Sequence, residues 1–184
     1  MSVMMAALLA LAAGEDAKVE VKIYVKGMSC EVNCGSKVQK SLAALPGAKE
    51  AKLTKFEEGL FTVSVDAKTA VKPSEIKKAA TGYEIVKIVA TLSGTVSKEK
   101  DVYTLTTPSG AKYAVSAAPK EECAKAVKPG ETAACPIGAL EKLVADAKTV
   151  VSVTGILDEC CQGSMSIAAL KVSACCEATK AGAN

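Results

Sequence analysis

The chain has 184 residues, with 23 basic side chains against 20 acidic ones and a formal charge of +3. Hydrophobic residues make up 49%, which excludes a disordered chain, and the length suits one or two small domains. There is no His and no Trp, every basic side chain is Lys, and aromatics are only 3%. Those absences exclude Ser-His and Cys-His relays, imidazole metal sites and the bidentate Arg forks that read nucleic acid. Against them stand 8 cysteines, so the reactive chemistry of this chain is sulfur chemistry.

Residues 1–13 form an apolar run followed by Gly14-Glu15-Asp16. The run is too short to cross a bilayer as a helix. It resembles the apolar core and small-residue end of a secretory signal, with cleavage expected near Ala12 to Ala17, although no Lys or Arg precedes it. Residues 1–17 therefore read as a signal-like segment of an exported or periplasmic protein, and the cysteine content favours that compartment. The alternative is a cytoplasmic protein with a core-docked N-terminal helix. No later stretch is apolar for long enough to be a transmembrane helix.

Val19, Val21, Ile23 and Val25 alternate with polar residues, the pattern of a strand with one buried face. After Gly27-Met28-Ser29-Cys30, the spacing of Val38, Leu42 and Leu45 predicts an amphipathic helix ended by Pro46-Gly47. Ala51 and Leu53 mark a second strand, Glu57-Glu58-Gly59 a turn, and Phe61, Val63 and Val65 a third strand. Pro73 suits the first turn of a short helix carrying Ile76, Ala79 and Ala80, with Gly82 as its C-terminal cap. Tyr83 to Ala90 is the last strand of a β-α-β-β-α-β order over residues 18–91, a ferredoxin-like sandwich.

The texture changes near Thr91. Val96, Val102 to Thr106 and Lys112 to Val115 predict short strands around a Pro108-Ser109-Gly110 turn. Glu121 to Val127 predicts a brief helix, and Pro136 to Ala145 a longer one with Leu140, Leu143 and Val144 on one face. Thr149 to Leu157 and Met165 to Ser173 predict a strand pair. Three strands, a helix and two strands fit a small β-rich, OB-like barrel over residues 92–178, with 179–184 as a tail. Val151-Ser-Val-Thr-Gly155 resembles the fourth strand of such barrels. The whole is an α+β chain. Its excess charge lies in residues 1–91, which hold 13 Lys and 10 acids, against 10 of each in residues 92–184.

Gly27 to Cys34 (GMSCEVNC) lies between the first strand and the first helix. Thiols at a strand-to-helix turn feel the positive end of the helix dipole, which favours thiolate. Two thiolates with no imidazole or carboxylate cluster beside them suit a soft ion such as Cu(I), whereas Zn(II) asks for four ligands. This segment resembles the heavy-metal-associated domain family of copper chaperones and mercury-binding proteins, over about residues 18–91. The resemblance rests on Gly27-Met28-Ser29-Cys30, Leu45-Pro46-Gly47-Ala48, the hairpin, and Gly82-Tyr83. It implies that Cys30 and Cys34 hold Cu(I), or Hg(II), Zn(II) or Cd(II), and pass the ion by ligand exchange to an acceptor protein or a metal-transporting membrane protein. It further implies that Met28 packs beneath the loop and that Tyr83 stands beside it. The family spacing is C-x-x-C, whereas this chain has C-x-x-x-C. The other readings of the pair are a disulfide or a vestigial site.

Cys123, Cys135, Cys160, Cys161, Cys175 and Cys176 all fall in the second half. Adjacent cysteines seldom bridge each other, so pairing between the two doublets, or of Cys123 with Cys135, reads as a set of disulfides stapling the barrel. A second thiolate site or free thiols are the alternatives. No catalytic constellation is present, so the expected function is non-enzymatic soft-metal binding. The rivals are a thiol-disulfide redox protein, disfavoured because such dithiols follow C-x-x-C, and a metal-inactive scaffold module. Tyr103 and Tyr113 are the barrel's only aromatic platforms, too few for nucleic-acid binding.

Overall fold

The computed structural model describes residues 18–100, 102–119, 137–138, 140–141, 150–159 and 163–174. The six second-half cysteines, the signal-like segment and the helix expected at Glu121 to Val127 lie outside the described residues.

Strand β1 (Lys18–Lys26) turns Val21, Ile23 and Val25 inward and Lys22 and Lys26 outward. It pairs antiparallel with β3 (Leu60–Asp66), placing Ile23 opposite Phe61 and Val21 opposite Val63. β2 (Ala48–Lys55) lies at the outer edge beside β3, where its three Lys blunt the open side. Gly59 closes the β2–β3 turn at φ +61, and a Cβ there would sit 1.9 Å from the Val25 carbonyl oxygen, so only glycine fits. Helices α1 (Ser36–Ala43) and α2 (Pro73–Ala79) cover one face of the sheet, burying Val38 and Leu42 from the first, Pro73 and Ile76 from the second. Helix α1 stops before Leu45. Ala80 caps α2, and Gly82, at φ +92, turns the chain towards the next strand instead of capping the helix as the sequence suggested. The β-α-β-β-α-β order and the strand sequence β2-β3-β1-β4 make residues 18–90 a ferredoxin-like sandwich.

The two strands expected around Thr91 are one. β4 runs unbroken for 16 residues, Glu84–Glu99. Its first part pairs with β1 (Lys26 opposite Glu84, Val21 opposite Ala90) and its last with β5 (Val102–Thr106). The weakly hydrophobic Thr91-Leu92-Ser93-Gly94 looks like a break in sequence. In the fold, Leu92 is buried and Gly94 lets backbone approach closely, since a Cβ on it would lie 2.2 Å from the Thr106 carbonyl oxygen. β5 pairs with β6 (Lys112–Ala117), and β6 pairs in parallel with β8 (Met165–Ala174). β8 pairs antiparallel with β7 (Val150–Glu159), which returns to β4 through Val89 to Thr95. The pairings β4-β5-β6-β8-β7 thus end where they began. Ile137, Gly138, Leu140 and Glu141 are helical, and Leu140 is fully buried as its periodicity predicted.

One core serves both halves. Val21, Ile23, Leu42 and Phe61 join Leu92, Leu105, Tyr113, Val153 and Ile167 in a continuous buried cluster. Polar links reinforce it. The Tyr113 hydroxyl accepts from the Val71 N–H at 3.1 Å and donates to its C=O at 3.0 Å. The Ser74 N–H, in the first turn of α2, donates to the Glu159 carboxylate at 2.8 Å. Among the described residues, no helix is long and apolar enough to cross a membrane.

Candidate metal centre

β1 ends at Lys26, and Gly27 to Ser29 carry the chain over the end of the sandwich. Met28 turns down and packs, half-buried, against the core. Cys30 keeps an extended backbone (φ −151°, ψ 144°), and Glu31–Gly35 then form a π turn that leads directly into α1. Its signature is the Gly35 N–H donating to the Cys30 carbonyl five residues back, at 3.3 Å. A π turn holds one residue more than an α turn. The longer C-x-x-x-C spacing is therefore absorbed locally, and the two cysteines stay on one face. Gly35 is buried against the Leu53 side chain of β2, which anchors the turn to the sheet.

The result is a convergent pair. The Cys30 thiol points at the Cys34 sulfur, with 3.4 Å between the sulfurs, and the Ser29 hydroxyl lies 3.6 Å from Cys34 Sγ. Both cysteines are free and half-buried. The Cys34 thiol is lowered from 9.0 to about 6. The largest cause is the Ser29 hydroxyl, followed by the Ser29 backbone and then the Cys30 thiol and backbone, all hydrogen-bonding to the sulfur against a small opposing cost of burial. Tyr83 sits just before β4, held by its N–H to the Ala80 carbonyl at 3.0 Å. Its phenol is raised above its usual value, first because it donates to Cys34, then by burial and by the thiolate charge.

The structure thus brings Cys30 and Cys34 together, sets Tyr83 within electrostatic reach of both, and packs Met28 against the core. Sequence reasoning missed Ser29 as a partner of Cys34. A hydroxyl immediately before the first cysteine was the available signal. No third His, Cys, Asp or Glu joins the pair among the described residues, so those residues do not supply the four ligands of a closed zinc site. Tyr103 and Tyr113 are both buried, which removes them as stacking platforms.

A βαββαβ sandwich with two thiols converging where β1 meets the first helix defines a class of small metal-binding modules. Residues 22–84 match the family model of the heavy-metal-associated domain, so this segment, roughly a third of the chain, is a heavy-metal-associated domain, and heavy-metal binding is the general property it carries. No curated protein matches the chain.

Proposed function

We propose that the chain is a non-enzymatic soft-metal carrier that holds Cu(I) between Cys30 and Cys34 and gives it up by ligand exchange to an acceptor protein. One observation carries this reading: two free thiols 3.4 Å apart on a half-exposed loop, with Cys34 lowered to about 6. Thiolate is the form that binds metal, so a thiol already ionised near neutral pH loses little to proton competition. With soft sulfur ligands and no imidazole in the chain, Cu(I) is favoured, and Hg(II), Zn(II) and Cd(II) are the other ions to compare.

The deciding experiment is Cu(I) titration against a chromogenic chelator for wild type and the Cys30→Ser/Cys34→Ser variant. One Cu(I) fewer per chain in the double variant supports the assignment. Unchanged stoichiometry and affinity overturn it. The close sulfurs and ionised Cys34 also favour a second reading, thiol-disulfide exchange, which insulin-reduction activity dependent on both cysteines would support.

The second half reads as an OB-like barrel. Its support is the cyclic order β4-β5-β6-β8-β7 with one parallel pair, β6–β8. We place the protein in an exported compartment on the strength of residues 1–17, and test that by the mass of the mature chain.

A further inference from the structure

The distance between the two sulfurs says which bond angle the loop is ready to give. With metal–sulfur bonds of about 2.3 Å, sulfurs 3.4 Å apart enclose an angle of about 95°. A linear two-coordinate ion would need them about 4.6 Å apart on the same bond length. The resting loop is thus set for a bent grip. The second relevant fact is the ligand count. Two thiols converge, and among the described residues no third His, Cys, Asp or Glu joins them. The matching guest bonds two sulfurs at a narrow angle and brings its remaining substituent with it. The third is the rim. Val32 stands on the π turn, between the two cysteines in sequence, with 76% of its surface exposed, so the turn that carries the pair shows an apolar side chain to solvent.

We infer that the Cys30–Cys34 loop also captures monosubstituted trivalent arsenicals, R–As(OH)2, as a cyclic dithiolate. The lone pair of As(III) compresses its bond angles well below tetrahedral, towards the angle that the loop presents. In the step, two As–O bonds break and two As–S bonds form. The two thiol protons leave with the two hydroxides as water, and arsenic stays in the trivalent state, so no oxidant or reductant is required. The organic substituent R fills the third position, with the exposed Val32 of the same turn as the available apolar neighbour. The Ser29 hydroxyl, 3.6 Å from Cys34 Sγ, holds that sulfur facing Cys30 before the guest arrives. The inference shares the Cys30/Cys34 pair with the proposed function but does not depend on Cu(I).

The test uses the full reduced chain with phenylarsine oxide (hydrated in water to the dihydroxide) and, in a parallel arm, inorganic arsenite. Adducts are counted by intact-mass spectrometry and located by peptide mapping, before and after a wash with excess glutathione. Wild type is expected to keep one phenylarsenical bridging Cys30 and Cys34 through the wash. Cys30→Ser and Cys34→Ser, each able to form only one As–S bond, lose it at least about a hundredfold faster, the usual gain from a second tethered bond. Arsenite, lacking the substituent that completes the third position, is expected to wash off faster than the aryl compound. Wild type preloaded with Cu(I) is expected to refuse the arsenical at this loop. An adduct on wild type that glutathione strips as fast as from the single variants overturns the inference, as does a peptide map with no arsenic on Cys30 or Cys34. Cu(I) titration of the same samples separates the two readings. Lost arsenical capture with intact Cu(I) binding sinks this inference alone, and loss of both sinks the loop as a site.

Discussion

The hydroxyl of Tyr113 closes a two-way hydrogen bond with the backbone of Val71, accepting from its N–H and donating to its C=O across 42 residues of sequence. Tyr113 is fully buried, and burial raises its phenol above the usual value. Tyr113→Phe keeps the ring and strands two buried backbone groups, a change that typically costs about 1–3 kcal/mol. Urea denaturation followed by circular dichroism should show that loss as one shifted transition. Two separate transitions would mean that the halves unfold independently, against the shared core.

The Cys34 thiol should titrate early. Cys34 is lowered from 9.0 to about 6 in the fold, so between those values the unfolded chain binds the proton and the native chain does not. Stability then rises with pH across that window, and falls as pH drops through the native value. Iodoacetamide trapping of Cys34 should gain rate with a midpoint near the native value. Ser29→Ala, which removes the largest cause of the lowering, should move the midpoint upward. An unmoved midpoint would refute the role given to the Ser29 hydroxyl.

Two glycines should respond very differently to alanine. At Gly59 the new Cβ meets the rigid Val25 carbonyl oxygen at 1.9 Å, on a backbone at φ +61, and Gly59→Ala should cost at least about 3 kcal/mol. At Gly35 it meets the tip of the Leu53 side chain at 2.9 Å, which can swing aside. Gly35→Ala should stay within about 1 kcal/mol and be partly relieved by Leu53→Val. Thermal melts of the three variants check the order.

Glu159 is held below the usual carboxylate range, chiefly by the Ser74 side chain and then by its backbone N–H. A depressed carboxyl adds stability at neutral pH that disappears as acid protonates it. Glu159→Gln should therefore lower the urea midpoint at pH 7 and leave it nearly unchanged at pH 3. Equal losses at both values would assign the effect to packing.

Much of this was legible in the sequence. The alternation of Val21, Ile23 and Val25 gave β1, Pro73 marked the first turn of α2, and Gly-Met-Ser-Cys located the loop. Other features were not legible, for physical reasons. Cysteines four apart share a face on an α turn too, so nothing in the letters distinguishes the π turn that Gly35 closes on Cys30. The continuity of β4 was hidden because Gly94 looks like a breaker, and only the tertiary approach of Thr106 shows why a glycine belongs inside that strand. The partnership of Tyr113 with Val71 joins residues whose proximity no local pattern encodes.

The unbroken β4 bears on how the loop can be approached. Tyr83, whose phenol is raised chiefly by Cys34, is the residue immediately before that strand, and the strand's far end is built into the second half. A loop on a tethered module could swivel to meet its counterpart at many orientations. This one is mounted on the same beam as the rest of the body, so a visiting surface must fit the loop and clear the second half in a single pose. Steric exclusion thereby becomes a source of partner choice that requires no additional contact.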